Sequence, residues 1–238
     1  MYRHAGIIFL LLSLLSPAMA GESTSVGTAQ EGHLENGFEV PIQNRWIQFY
    51  RKVAERQSNF STLELAALLT RASRVVHENT GGTLLTIGDC SDADGGDLRG
   101  HRSHNSGRDV DILFYTTDAR GRSVASPGFK RFDRDGTASR NQLFDVRRNW
   151  WLVRTLLASD APHVQYIFVA NHLRDRMLDF AKRNGESKEI LHRARYILMQ
   201  PRDALPHDDH FHVRVYCSKG DRESGCVDTG SKWAWIGD

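Results

Sequence analysis

Two short segments of this 238-residue chain concentrate side chains that bind metal ions and transfer protons. Five of the 11 histidines fall in them: His101 and His104 in the first, then His207, His210 and His212 in the second. Asp111 follows His104 by seven residues. Catalytic zinc commonly takes three histidine or carboxylate ligands and keeps a water in the fourth position. The two clusters therefore suggest a hydrolytic metal site.

The elements that would position these residues are two strands with alternating polarity. In DVDILFY, residues 109–115, the aspartates occupy one face and Val110, Ile112 and Phe114 the other. In HFHVRVY, residues 210–216, His210, His212 and Arg214 share a face opposite Phe211, Val213 and Val215. If both strands lie in one sheet, imidazoles and carboxylates converge over an apolar floor.

This convergence selects His104, Asp111 and His212 as ligands of one zinc ion. Gly107 permits a tight turn that lets a loop residue and a strand residue reach the same point. His210, two residues before His212 on the same face, lies near the metal without binding it. The alternatives are surface histidines, a half-solvated strand, or a zinc that only stabilises the fold.

The motif H-x-x-G-x-x-x-D at His104, Gly107 and Asp111, followed by H-x-H at His210 and His212, resembles a group of zinc peptidases. That group includes the penicillin-insensitive murein endopeptidases, lysostaphin-like enzymes, D-Ala-D-Ala dipeptidases and the hedgehog domain. The segments GDCSDADGG, GHRSHNSGRDVDI, VQYIFV and HDDHFHVRVYC most resemble the murein endopeptidases. The resemblance covers about residues 88–226.

The resemblance implies zinc ligands at His104, Asp111 and His212, a general base at His210, and a further catalytic histidine at His207 that steadies the transition state near the metal. In the site chemistry, His207 or Arg214 could stabilise the oxyanion. Positions His101 and Asp135 match a second metal site. Ala138 stands where the family has another histidine, so one ion is expected and a second is doubtful. It also implies hydrolysis of the D-alanyl–diaminopimelate cross-link of peptidoglycan, without a serine nucleophile.

Two other functions use the same residues. A D,D-carboxypeptidase or dipeptidase would keep the ligands and trim the ends of stem peptides. A zinc-bearing binding module would keep the metal without catalysis. A groove open at both ends favours the endopeptidase, and a zinc without room for water favours the binding module.

The remaining patterns indicate an α+β fold with a mainly antiparallel sheet flanked by helices, like that of hedgehog and D-Ala-D-Ala peptidases. Helical spacing marks 46–57, Leu65–Val76 after an N-cap at Ser61-Thr62, Leu143–Leu157, Leu173–Lys182 and Lys188–Leu198. Further strands are predicted at Thr83–Ile87 and Val164–Val169.

The ends and cysteines suggest an exported protein. Residues 1–20 combine Arg3, an apolar run and Ala18-Met19-Ala20, the features of a cleaved signal peptide. Residues 21–38 are polar and predicted to be a flexible leader before a peptidase domain at 39–238. In an oxidising periplasm, Cys217 and Cys226 are expected to form a disulfide, with two free thiols as the alternative. A net charge of +2 gives no indication of nucleic-acid binding, and no later segment of the sequence is expected to span a membrane.

Overall fold

The computed structural model of the protein describes residues 22–236. The signal peptide predicted at residues 1–20 lies outside this range. The strands are β1 (Thr24–Gly27), β2 (Gly32–Glu35), β3 (Phe38–Glu39), β4 (Ile47–Phe49), β5 (Phe60–Ser61), β6 (Leu85–Ile87), β7 (Asp109–Leu113), β8 (Thr116–Thr117), β9 (Ser123–Val124), β10 (Thr137–Ser139), β11 (Gln142–Phe144), β12 (Val164–Phe168), β13 (Leu198–Met199) and β14 (His210–Val215). The helices are α1 (Arg51–Ala54), α2 (Leu63–Thr80), α3 (Val146–Leu157), α4 (Asn171–Arg183), α5 (Lys188–Ile197) and α6 (Lys219–Glu223).

A six-stranded sheet with the order β13-β12-β14-β7-β6-β4 forms the centre of the fold. Its inner pairs are antiparallel, and the two outermost pairs, β12 with β13 and β4 with β6, are parallel. One face of this sheet joins the helices in a single hydrophobic core, in which the Phe114 and Phe211 rings pack 4.7 Å apart. The predicted α+β class and the antiparallel-rich sheet are confirmed.

Most predicted helices are present with small shifts of their ends. Thr62 caps α2 by accepting a hydrogen bond from the Leu65 amide, and Gly81, with φ of 64°, follows its end. The helix predicted over residues 46–57 is wrong in its first part. Ile47 and Phe49 are buried in strand β4 beside β6, and only one helical turn follows. Tertiary pairing outweighs the weak helical pattern there.

The segment predicted to be a flexible leader is instead packed on the domain. Strands β1 and β2 form an antiparallel hairpin, and Leu34 and Ser25 are buried. The Ser25 amide donates to the Asp221 carboxylate at 2.9 Å, and the Gly27 amide donates to the Gly225 carbonyl at 3.1 Å. Composition did not reveal these contacts because their partners lie almost 200 residues away in sequence.

The cysteines behave as expected. Cys217 and Cys226 form a disulfide, which ties the end of β14 to the loop beyond α6. Cys90 is a free, fully buried thiol. Within residues 22–236, no helix combines the length and apolar character needed to cross a bilayer.

Candidate metal centre

The two chemistry-bearing strands are direct neighbours in the central sheet. β14 pairs with β7 in a register that sets His212 opposite Asp111 and Arg214 opposite Asp109. Directly opposed residues of antiparallel strands place their side chains on the same face. The predicted grouping of imidazoles and carboxylates on one face of the sheet is therefore confirmed.

Three atoms of the predicted ligand set lie close together. His104 Nε2 is 3.3 Å from His212 Nδ1 and 3.4 Å from Asp111 Oδ1. His212 Nδ1 is 3.1 Å from the same Asp111 oxygen. Four ligands at about 2.0–2.1 Å from a zinc ion stand about 3.3 Å apart in a regular tetrahedron. The three atoms thus have the spacing of three corners of a zinc site.

Each of the two imidazoles has an outer hydrogen-bond partner that fixes its ring. His104 Nδ1 lies 2.6 Å from the Cys90 carbonyl, an acceptor, so Nδ1 carries the proton and Nε2 is free. His212 lies between two carboxylates, with Nε2 3.0 Å from Asp109 Oδ1 and Nδ1 3.1 Å from Asp111 Oδ1; with the proton on Nε2, Nδ1 would be free to bind a metal ion. Imidazoles fixed by such outer partners are typical of metal ligands.

The Asp111 carboxylate completes an electron-rich pocket. It is fully buried, and Oδ2 accepts no hydrogen bond from any residue between 22 and 236. Burial alone would raise the pKa of Asp111, but His210 and His104 hold it well below its usual range. A buried, ionised carboxylate with a free oxygen is suited to a cation, so the residues present fit a metal ion.

Asp109 lies beside this pocket and bonds to two of the residues that line it, His104 and His212. The sequence did not indicate this role. Its Oδ1 accepts from His212 Nε2 and from Arg214 Nε at 2.7 Å. Its Oδ2 accepts from the His104 amide at 3.1 Å and from the second nitrogen of Arg214 at 3.2 Å. The amide bond matters because His104 has a φ of 76°, a conformation that needs support in a residue other than glycine.

The guanidinium of Arg214 consequently bonds to Asp109. Sequence alone allowed it to stabilise an oxyanion. The structure buries its side chain to 6% exposure and directs the guanidinium at the carboxylate. Arg214 therefore supports the predicted ligands through Asp109. Its charge also helps to hold the pKa of Asp109 well below its usual range, against the effect of burial.

His101 lies beside the pocket, but without its predicted partner. Its Nδ1 is 3.7 Å from Asp111 Oδ2, and its Nε2 is 3.2 Å from Asp89. His101, His104 and Asp111 can themselves offer ligand atoms within 4.8 Å of one another. Asp135 is elsewhere, 92% exposed and facing Arg176 at 3.7 Å. The described contacts therefore pair His101 with Asp89 rather than with Asp135.

Asp89 was not predicted to be a site residue, because its bonding partners are distant in sequence. It is buried and accepts from Arg56 at 2.7 Å and from the Ser58 hydroxyl at 2.5 Å, besides facing His101. Burial would raise the pKa of Asp89, and the bonds from His101 and Ser58 lower it. Its place in the GDCSDADGG segment was the only signal in the sequence.

His210 borders the pocket with one nitrogen aimed into it. Nδ1 lies 2.6 Å from Asp209 Oδ1, and Nε2 lies 3.4 Å from Asp111 Oδ1. Phe129 packs its ring 5.2 Å from the imidazole. Burial would lower the pKa of His210, but Asp111 and Asp209 raise it to about 10. A cation bound to Asp111 would oppose that rise by offsetting the carboxylate charge.

His207 is close to both H-x-H histidines, with ring centroids 4.9 Å from His210 and 5.7 Å from His212. Burial and the two neighbouring histidines lower its pKa to about 4, so the ring is neutral at pH 7. Nδ1 lies 2.9 Å from the Leu205 carbonyl and therefore carries the ring proton. Nε2 is left as a hydrogen-bond acceptor.

Comparison with known proteins gives a consistent result. A family model described as penicillin-insensitive murein endopeptidase matches residues 25–232. The chain is 27% identical over 210 residues to the penicillin-insensitive murein endopeptidase of Klebsiella pneumoniae (strain 342), covering 88% of this chain and 72% of that protein. It is 26% identical over 212 residues to the protein of that name from Escherichia coli O6:K15:H31 (strain 536 / UPEC), covering 85% and 70%.

Proposed function

Because this chain belongs to the penicillin-insensitive murein endopeptidase family, we propose that it is a zinc-dependent peptidase that cleaves the D-alanyl–diaminopimelate cross-link of peptidoglycan. His104, Asp111 and His212 would hold one zinc ion. His210 is the general base. With residues 1–20 removed as a signal peptide, the enzyme works in the periplasm.

One observation carries the proposal. Three ligand atoms lie 3.1–3.4 Å from one another, the bond of His104 Nδ1 to the Cys90 carbonyl leaves its Nε2 without a proton, and Asp109 offers His212 Nε2 an outer acceptor. This arrangement supports a catalytic centre of three protein ligands.

The metal and the protein have separate tasks. A zinc ion held by His104, Asp111 and His212 would supply Lewis acidity, which would make a water more acidic and polarise the scissile carbonyl. His210 Nε2 takes the proton of the attacking water and returns it to the leaving amine. Asp209 keeps the proton of the neutral imidazole on Nδ1, 2.6 Å away. His207, neutral and with Nε2 free, accepts a hydrogen bond from substrate or from the water.

The digestion products of purified peptidoglycan test the reaction. The mature protein, incubated with and without a chelator, should convert cross-linked dimers to monomers, as identified by mass, and the chelator should stop it. His210→Ala should slow this conversion, and His33→Ala, at an exposed histidine, is its matched control and should digest like wild type. Loss of terminal D-alanine from intact dimers would instead identify a carboxypeptidase. Zinc uptake without any product would identify a binding module.

A further inference from the structure

A row of aromatic rings begins at the metal centre and follows β12. The Phe168 ring lies 5.5 Å from the His212 ring, and the Tyr166 ring stacks on Phe168 at 5.2 Å and 15°. Phe168 pairs with His212 and Tyr166 with Arg214 in the sheet register. Both rings therefore lie on the same face of the sheet as the proposed ligands.

The row continues onto the C-terminal segment and α5. The Trp233 ring is 6.0 Å from Tyr166 and is stacked on Trp235 at 5.5 Å and 8°. Tyr196 of α5 contacts both indoles at 5.9 and 6.0 Å and is 50% exposed. We name the five rings of Phe168, Tyr166, Trp233, Trp235 and Tyr196 the aromatic strip. Tyr166 is buried and supports the other four rings, which are partly or well exposed.

Hydrogen bonds hold the outer part of the strip in place. Trp233 Nε1 donates to the Gln165 carbonyl at 2.7 Å, and the Trp233 amide donates to the Tyr216 hydroxyl at 3.2 Å. The Ser231 amide donates to the Tyr166 hydroxyl at 2.6 Å. Gly230 allows this approach, because a Cβ there would lie 2.3 Å from the Tyr166 oxygen. The partly exposed Trp233 indole is thus pre-organised by hydrogen bonds, and Trp235 by its stacking on Trp233, which favours a binding role.

We propose that the exposed rings of the aromatic strip bind the glycan strand of peptidoglycan. This inference rests on the proposed function for its polymer and adds a recognition surface to it. Pyranose rings present flat, uncharged C–H faces that stack on aromatic faces, and indole and phenol rings add hydrogen-bonding edges. Stem peptides carry carboxylates, which arginine and lysine recognise better than π faces do. Continuity with His212 brings the bound glycan beside the peptide to be cut.

Binding of a soluble glycan tests the surface separately from catalysis. The probe is the N-acetylglucosamine tetramer, titrated into the mature protein by calorimetry and by tryptophan fluorescence. Trp235→Ala and Tyr196→Ala should each weaken binding about tenfold, the loss of one stacking contact. Phe38→Ala, at a 38% exposed aromatic on β3, is the control and should bind like wild type. No binding by wild type, or equal binding by all variants, would overturn the proposal.

Two substrates then separate this inference from the proposed function. Tyr196→Ala and Trp235→Ala should slow digestion of intact peptidoglycan about tenfold and leave cleavage of a glycan-free cross-linked peptide unchanged. Equal slowing on both substrates would make the strip a structural element and refute the inference. A wild-type dimer in sedimentation that Tyr196→Ala abolishes would assign the surface to self-association and also refute it. Wild-type inactivity on the glycan-free peptide, with tetramer binding intact, would instead count against the proposed function alone.

Discussion

Replacing Asp109 by asparagine tests how the proposed ligands are held. The carboxylate accepts four hydrogen bonds, from His212 Nε2, the His104 amide and two nitrogens of Arg214. Asparagine has nearly the same shape, but its NH₂ group must face two of these donors. The Arg214 charge, 6% exposed, also loses its counterion.

Asp109→Asn should have two separable effects, one on the stability of the fold and one on the affinity for zinc. Removing one partner of a buried ion pair costs about 3–5 kcal/mol of unfolding free energy. For a domain of this size, about 2–4 °C per kcal/mol gives a melting temperature lower by roughly 6–20 °C. Loss of an outer partner of a ligand typically weakens metal binding about 10–100-fold. Asp109→Asn should therefore fold and still bind zinc, but more weakly.

The assay is a competitive zinc titration against a chromophoric chelator, with thermal melting in excess chelator measured on the same sample. Asp179→Asn, at an exposed position of α4, is the matched control and should match wild type in both. Unchanged zinc affinity in Asp109→Asn would refute the reasoning that Asp109 positions the ligands. A lowered melting temperature with wild-type affinity would restrict Asp109 to stability.

Three more outcomes follow from particular side chains. His210→Ala should keep its zinc, as measured by metal analysis, while turnover falls about 10²–10⁴-fold, which is the usual contribution of a positioned base. Loss of the metal together with activity would make His210 a ligand. Burial, with Asp111 and Asp89 nearby, raises the pKa of the Cys90 thiol well above its usual range. A thiol reagent at pH 8 should therefore detect no thiol in the native protein and one thiol after denaturation. Three thiols would disprove the disulfide. Leu34→Ala should lower the free energy of unfolding in denaturant by about 2–5 kcal/mol, because Leu34 is 1% exposed. The control Leu205→Ala, at an 83% exposed position, should lower it by under about 0.5 kcal/mol. Equal effects would mean that the hairpin is not packed on the domain.

The parts of the site that could be predicted are those set by local periodicity. Alternation along residues 109–115 and 210–216 fixed which side chains share a face, and the register of β7 with β14 agrees. Gly107, with φ of 73°, makes the turn expected between His104 and Asp111. A pattern of period 2 determines these features whatever the rest of the chain does.

The parts that could not be predicted depend on partners distant in sequence. Asp109 was placed on the correct face, yet its role follows from Arg214, 105 residues later. Asp89 gains its role from Arg56 and Ser58, which a reading of its own segment does not connect with it. The N-terminal hairpin is stabilised by contacts with the loop around Asp221 and Gly225, so its polar composition suggested a flexible leader.

The position of the metal in crystals of protein that is active on peptidoglycan tests the central claim most directly. Anomalous diffraction at the zinc absorption edge should show one ion, about 2.0–2.2 Å from His104 Nε2, from an Asp111 oxygen and from His212 Nδ1. The fourth position should be open toward His210. An ion held by His101 in place of His212, or no ion in active protein, would contradict the account.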